Sequence, residues 1–175
     1  MTSDYIVLDI ETTGLSALYD NGRVTCICAK DSKGNRFSIV QQDEEDMIMK
    51  FLGWLYEYDP DKHALVTFNG KAFDAVFLYV RICELRRKHP PFEKFKAFRH
   101  WDLFDEYLKK YNHFISLNKL GAKLGVPVQK CGDGREAIQW WYAGQWKKLQ
   151  QYCEQDVEVT EQVMLKWSGM MAGER

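Results

Sequence analysis

The sequence lacks the features that are typical of membrane and secreted proteins. No apolar run approaches the ~18–20 residues that a membrane-spanning helix needs. The first residues, MTSDYIVLD, contain no basic region followed by an apolar segment, so no signal peptide is predicted. We therefore expect an intracellular, cytoplasmic protein.

Cysteine and histidine are scarce, and their spacing fits neither a disulfide framework nor a zinc site. The five cysteines are odd in number and include no CxxC pair, and the four histidines are scattered. We therefore expect no structural zinc. Any bound metal would be held by oxygen, which hard cations such as Mg²⁺ or Mn²⁺ prefer.

Linkers, internal repeats and low-complexity tracts are also absent, and a length of 175 residues predicts one domain spanning residues 1–175. The net charge is only −1, yet residues 81–100 carry seven basic side chains against two acidic ones. Such a segment is typical either of a surface that contacts a phosphate backbone or of a solvated helix face.

Hydrophobic periodicity and turn residues divide the chain into strands and helices. Three strands with short links come first and predict an antiparallel meander. A helix, a strand, a helix and a strand follow, and only helices come after them. The predicted strands are residues 5–8, 24–29, 36–40, 64–68 and 96–102, and the predicted helices are residues 44–58, 72–87, 103–110, 117–124, 136–143 and 145–167.

This order predicts an α/β fold with a mixed five-stranded sheet, built from the meander and two parallel strands, with helices on both faces. The strand Tyr5–Leu8 has no polar alternation and is expected near the middle of the sheet. In such sheets ligands bind at the carboxyl ends of the central strands. We therefore expect Asp9, Glu11 and the loop at Asn69 to gather there.

Two acids follow the first strand directly, in the stretch YIVLDIETTGL. Alternate residues of a strand share a face, so Asp9 and Glu11 are predicted to project side by side. Burying two like charges together costs several kcal/mol per ion, as an order of magnitude. Either a divalent cation offsets this cost, or the strand end lies in solvent.

Two further acids are predicted near the same place. Asp74 opens the helix that follows the fourth strand, where the helix N-terminus by itself also favours an acid. Asp156 falls within the apolar stripe of the last helix, with Tyr152 one turn before it. A bond to neighbouring backbone or an arginine could explain Asp156 alone, whereas four acids in one pocket are hard to explain without metal.

Four clustered carboxylates predict a pair of divalent cations, Mg²⁺ or Mn²⁺, that promotes displacement at phosphorus. Asp9 would bridge both ions, and Glu11 and Asp156 would hold the ion beside the nucleophile. Asp74 would act on the second ion through water. The hydroxyl of Tyr152, a weak base, would orient the attacking water.

Three motifs resemble those of the DnaQ-like DEDD exonucleases, tyrosine subtype, of the ribonuclease-H-like superfamily. They are DIETTGL at residues 9–15, TFNGKAFD at 67–74 and YCEQD at 152–156. The third has Tyr-x-x-x-Asp spacing, where the histidine subtype has His-x-x-x-x-Asp. The second is most similar to the proofreading domain of family-B DNA polymerases and to stand-alone YprB-like domains. Together the motifs span nearly the whole chain.

The resemblance implies 3′–5′ exonuclease activity on single-stranded DNA or RNA, releasing nucleoside monophosphates. It also implies that Thr12 and Leu15 bind the terminal nucleotides, and that Asn69 and Phe73 contact the strand next to them. Lys130 could touch a phosphate or simply be solvated. A nucleic-acid- or protein-binding module without activity and another metal-dependent nuclease of the superfamily stay as alternatives.

Overall fold

The computed structural model describes residues 4–85, 90–127 and 132–173. Five strands form one sheet in the order β3-β2-β1-β4-β5. The first three strands are antiparallel, and β4 and β5 run parallel to β1. The predicted mixed sheet is therefore confirmed, with the first strand at its centre. The strands are β1 Asp4–Thr12, β2 Val24–Asp31, β3 Arg36–Val40, β4 His63–Thr67 and β5 Arg99–Asp102.

Seven helices are present in the described part of the chain. Asp43 caps the start of the first, because its side chain accepts a hydrogen bond from the backbone N–H of Asp46. No described helix is both long and apolar enough to cross a membrane. The helices are α1 Glu44–Tyr56, α2 Asp74–Glu84, α3 Pro90–Ala97, α4 Leu103–Tyr111, α5 Leu117–Lys123, α6 Gly134–Tyr142 and α7 Trp146–Gly173.

The central strand separates two hydrophobic cores. Ile6 and Leu8 pack on one face of the sheet against α1, α2 and α3, whereas Val7 packs on the other face with α4 to α7. All three side chains are fully shielded from solvent. A strand that is buried on both faces cannot show polar alternation, which is the pattern that the sequence displays. The expected helices on both faces are thus confirmed.

The fifth strand is present but shorter than the predicted residues 96–102, because Lys96 and Ala97 end helix α3 and the strand starts only at Arg99. Pro90 and Pro91 follow the predicted helix 72–87 and could end it. Proline is tolerated in the first turn of a helix, where the N–H has no helical partner anyway, and here the two prolines begin one. Residues 86–89, where α2 was expected to end, lie outside the described residues.

The register of the sheet leaves part of β1 open. Pairing with β4 runs from Asp4 only to Val7, whereas pairing with β2 continues to Thr12. The last residues of β1 therefore project past the end of β4, toward the first turn of α2. This projecting segment carries Asp9 and Glu11.

Candidate active site

Asp9 and Glu11 lie on the face of the sheet that α7 covers. Glu11 is buried, and Asp9 is partly buried with its Oδ2 atom shielded from solvent. One carboxylate oxygen of each lies within 4.8 Å of the other and of the Cys153 thiol on α7. The sequence prediction that the two acids project side by side is confirmed.

Asp74 approaches the end of β1 from the edge opposite β2. It is the first residue of α2, it is buried, and its Oδ1 accepts a hydrogen bond from the backbone N–H of Ile10 at 3.0 Å. Ile10 lies between Asp9 and Glu11. The first turn of α2 is therefore fixed beside the projecting end of β1, as the sequence predicted.

Helix α7 contributes Asp156 and Tyr152. The predicted apolar stripe of this helix is confirmed, because Leu149, Cys153 and Val163 are fully buried. Asp156 lies half-buried within this stripe. The ring of Tyr152 is also half-buried and packs edge-on against Trp140, with centroids 5.7 Å apart.

The four carboxyl groups interact electrostatically. Burial, and then repulsion from Asp74, Glu11 and Asp156, raises the pKa of Asp9 well above its usual value. Burial, and then repulsion from Asp156 and Asp74, also raises the pKa of Glu11 well above its usual value. Burial raises the pKa of Asp74 to about 7 and that of Asp156 to about 6. A cation bound among these groups would offset both the free-energy cost of burying the charged carboxylates and the repulsion between them.

The donor set fits hard divalent cations. The Oδ2 atom of Asp9 is buried and has no hydrogen-bond partner among the described residues, and buried carboxylate oxygens normally have one. Four carboxylates offer the oxygen ligands that Mg²⁺ and Mn²⁺ prefer. Within the described chain, Asp74 and Asp156 are not part of the tight group that Asp9 and Glu11 form.

The residues predicted to contact substrate divide into two pairs. Leu15 and Phe73 line the same cleft, of about 120 Å³, between the loop after β1 and helix α2. Leu15 is 83% exposed there. Thr12 is the last residue of β1; it is buried, and its hydroxyl donates to the Gly14 carbonyl. Asn69 follows the end of β4 and has a left-handed backbone with φ of 66°. Lys130 lies outside the described residues.

Asp102 is a supporting residue whose role the sequence analysis did not predict. It is fully buried at the end of β5 and accepts hydrogen bonds from the backbone N–H groups of Asn69 and Lys71, both at 2.8 Å. It thereby holds the loop that connects β4 to α2. Gly70 lies inside this loop, where a Cβ atom would come within 2.5 Å of Thr67. The sequence offered one signal for this role, because Asp102 is an acid at the carboxyl end of a strand that is parallel to β1 and β4.

The basic segment has a partly structural role. Arg81 donates to both carboxylate oxygens of the buried Glu44, at 2.8 and 2.6 Å, and also pairs with Glu84. Lys96 pairs with Glu93. Arg86, Arg87 and Lys88 lie outside the described residues, so the predicted path for a phosphate backbone stays a prediction.

Three cysteines form a cluster that the sequence analysis also missed. Cys26 and Cys28 are alternate residues of β2, and Cys153 comes from α7. Their sulfur atoms all lie within 4.8 Å of one another, and all three residues are buried. The spacing C-x-C gave no signal, because the third thiol is supplied by a distant helix.

Comparison with known proteins identifies the family. The sequence profile of the RNase H superfamily matches residues 6–168. The chain belongs to the RNase H superfamily. No curated protein matches this member of the superfamily.

Solved structures share its fold. The family B DNA polymerase from the hyperthermophilic archaeon Pyrobaculum calidifontis superposes with a TM-score of 0.73 at 18% identity, over 97% of this chain and 24% of the polymerase. E. coli Exonuclease I in complex with a dA16 oligonucleotide gives a TM-score of 0.54 at 15% identity, over 93% of this chain and 39% of the other. The chain thus spans only a fraction of the length of either protein.

Proposed function

We propose that the chain is a metal-dependent 3′–5′ exonuclease of the DEDD tyrosine subtype, which shortens single-stranded DNA or RNA from its 3′ end. The proposal rests on the pairing of the Asp9 and Glu11 carboxylates at the projecting end of the central strand, where Asp74 bonds to Ile10 between them and the charge of Asp156 raises the pKa of both. Similarity in fold to an exonuclease bound to an oligonucleotide, and to a family B DNA polymerase, supports it.

Asp9, Glu11, Asp74 and Asp156 would hold two divalent cations, Mg²⁺ or Mn²⁺. When bound, such a pair lowers the pKa of a water and neutralises the charge that develops on the leaving oxygen. Asp9 would be a central ligand, because its carboxylate lies beside that of Glu11 and is repelled by Asp74 and Asp156 as well. Hydrolysis would release a nucleoside monophosphate and leave a new 3′ hydroxyl on the shortened strand.

Tyr152 would position the attacking water. Burial, and then the charges of Asp156, Glu11 and Asp9, raises the pKa of its hydroxyl far above its usual value. The hydroxyl therefore keeps its proton at neutral pH, so it can donate a hydrogen bond but cannot act as a general base. Its contact with Trp140 restricts where the hydroxyl can lie.

Leu15 and Phe73 would contact the end of the strand. Both line the cleft between the loop after β1 and helix α2, and an exposed leucine next to a phenyl ring offers an apolar surface to a nucleobase. The backbone at Thr12 and the side chain of Asn69 would contact the strand at the ends of β1 and β4. Asp102 would act only by holding the Asn69 loop.

The test is a labelled-strand assay. Single-stranded DNA and RNA, each labelled at the 5′ end in one sample and at the 3′ end in another, are incubated with the protein and Mg²⁺, Mn²⁺ or EDTA. We expect stepwise shortening of the 5′-labelled strand, immediate release of the 3′ label as a mononucleotide, and no reaction in EDTA. The same experiment determines whether DNA or RNA is preferred.

Variants connect the activity to the site. Asp9→Asn and Asp156→Asn are expected to be nearly inactive, whereas Asp61→Asn, at an exposed acid before β4, should keep full activity. Internal cuts, or full activity of Asp156→Asn, would refute the proposal. Binding of the strand without cleavage under any cation would favour the alternative of an inactive binding module.

A further inference from the structure

We propose that the thiols of Cys26, Cys28 and Cys153 form a three-sulfur site for one thiophilic d¹⁰ cation, such as Zn²⁺ or Cd²⁺. This site goes beyond the proposed nuclease function and does not depend on it. It lies next to the acids, because Cys28 pairs with Asp9 and Cys26 with Glu11 across β1 and β2. The two sets of ligands differ in chemistry, since one is oxygen and the other sulfur.

The geometry matches a trigonal thiolate centre. At a metal–sulfur distance of ~2.3 Å, three ligands around one ion lie about 4.0 Å apart. The three sulfur atoms here lie within 4.8 Å of one another, and those of Cys26 and Cys28 are 3.6 Å apart. Changes of less than about 1 Å in these separations would therefore bring all three into the coordination sphere.

The surroundings hold the ligands in place. Cys26 and Cys28 are fixed by the sheet on one side, and Cys153 by the buried stripe of α7 on the other. The three residues are at most 1% exposed. Outside the cluster, the sulfur of Cys28 contacts the Ser38 hydroxyl at 3.4 Å, and that of Cys153 contacts the Asp9 carbonyl at 3.5 Å. Thiols are weak hydrogen-bonding groups, so these contacts hold the sulfur atoms only loosely.

The side of β3 offers the route by which an ion would reach the cluster. A narrow crevice between β2, β3 and α7 is lined by Cys28, Ser38 and Glu154. An ion that enters there would pass the carboxylate of Glu154 and then reach the sulfur of Cys28 before those of the other two cysteines. Each thiol that becomes a ligand loses its proton to solvent. The bound ion would cross-link β2 to α7, residues that are far apart in the sequence, and would thereby stabilise the folded chain.

The experiment uses Cd²⁺ and a variant that keeps only the three thiols. In the C83S/C131S double variant, reduced and in excess Mg²⁺ so that carboxylates are occupied, Cd²⁺ is titrated and the ultraviolet sulfur-to-cadmium charge-transfer band is recorded. We expect the band to saturate at one Cd²⁺ per chain and the thermal midpoint to rise. Zn²⁺ should then bleach the band by competition. Absence of the band from this folded variant overturns the proposal.

Single substitutions assign the ligands. Adding Cys26→Ser, Cys28→Ser or Cys153→Ser to this background should each weaken Cd²⁺ binding at least tenfold and abolish the thermal shift. The wild-type chain, which also has the exposed thiol of Cys83 on α2, should bind at least one Cd²⁺ per chain. Circular dichroism checks that each variant is folded. A band of equal strength in all three serine variants would overturn the proposal.

Discussion

The carboxylate of Asp74 accepts a hydrogen bond from the backbone N–H of Ile10 at 3.0 Å, so that the first residue of α2 is bound to the middle of the acidic segment of β1. Strand β1 reaches this point without a partner on that side, because its pairing with β4 ends at Val7. Asp74 therefore replaces a missing strand as hydrogen-bond acceptor. It is at once a structural residue and a member of the proposed cation site.

Substitutions of Asp74 should separate these two roles. Asp74→Ala leaves the buried Ile10 N–H without a partner, which costs about 1–3 kcal/mol of unfolding free energy. Asp74→Asn keeps an acceptor oxygen and removes a charge, so its stability in EDTA should equal or exceed that of the wild type. Both variants should be nearly inactive. Urea unfolding, together with the labelled-strand assay, measures both effects, and an active Asp74→Asn would contradict the proposed role.

The cation-free protein should lose stability as the pH rises. The pKa of Asp74 increases from 3.8 to about 7 on folding and that of Asp156 to about 6, in each case mainly through burial. Because the folded state binds these protons more tightly, their contribution is complete below pH ~4 and disappears as the pH rises through 6 and 7. Between pH 5 and 8 in EDTA, the wild type should lose at least about 1 kcal/mol relative to Asp74→Asn.

Saturating Mg²⁺ should reduce this dependence on pH, because a cation then replaces the protons as the partner of the carboxylates. Thermal unfolding from pH 5 to 8, with EDTA and with Mg²⁺, tests the expectation. Comparison with Asp74→Asn removes the effects of other titrating groups, such as His100, whose pKa burial lowers to about 4. If the wild type and Asp74→Asn follow parallel curves in EDTA, the pKa of Asp74 is not raised on folding as described.

Tyr152→Phe should lower turnover and leave measurable activity. Its hydroxyl is expected to orient water and not to remove a proton, so its loss should reduce kcat more than it changes KM. The ring contact with Trp140 is kept in the variant, and its thermal stability should be close to that of the wild type. Tyr142→Phe, at a tyrosine that is 74% exposed on α6, is the matched control and should be fully active. Loss of activity as complete as in Asp9→Asn would assign a more direct role to Tyr152.

Several features of this fold could be predicted from the sequence because they follow local rules. Tyr5–Leu8 is apolar without alternation, and only a central strand has that environment. Asp156 interrupts an apolar helical stripe, and burial of a charge there requires a partner. Both signals involve residues near one another in the chain, and the structure has them where the sequence placed them.

Other features depend on contacts that the sequence does not encode locally. Helix α3 was missed because Pro90 and Pro91 can end a helix or begin one, and the choice is made by how Phe95 packs against α1. The thiol cluster was missed because Cys153 lies on a helix 125 residues beyond Cys28. Cys153 lies next to β2 because of the way α7 packs across the sheet, and no rule of residue spacing predicts that packing.

Leu15→Ala should separate substrate binding from stability. The side chain is 83% exposed, so its truncation should change the free energy of unfolding by no more than about 0.5 kcal/mol. If Leu15 contacts the terminal nucleotide in the cleft that it shares with Phe73, KM for a single-stranded oligonucleotide should increase several-fold. Leu165→Ala is the matched control, because Leu165 is also an exposed leucine, 54% accessible, on α7. An equal KM for both variants would show that the cleft does not hold the strand end, while leaving the cation site and its chemistry unaffected.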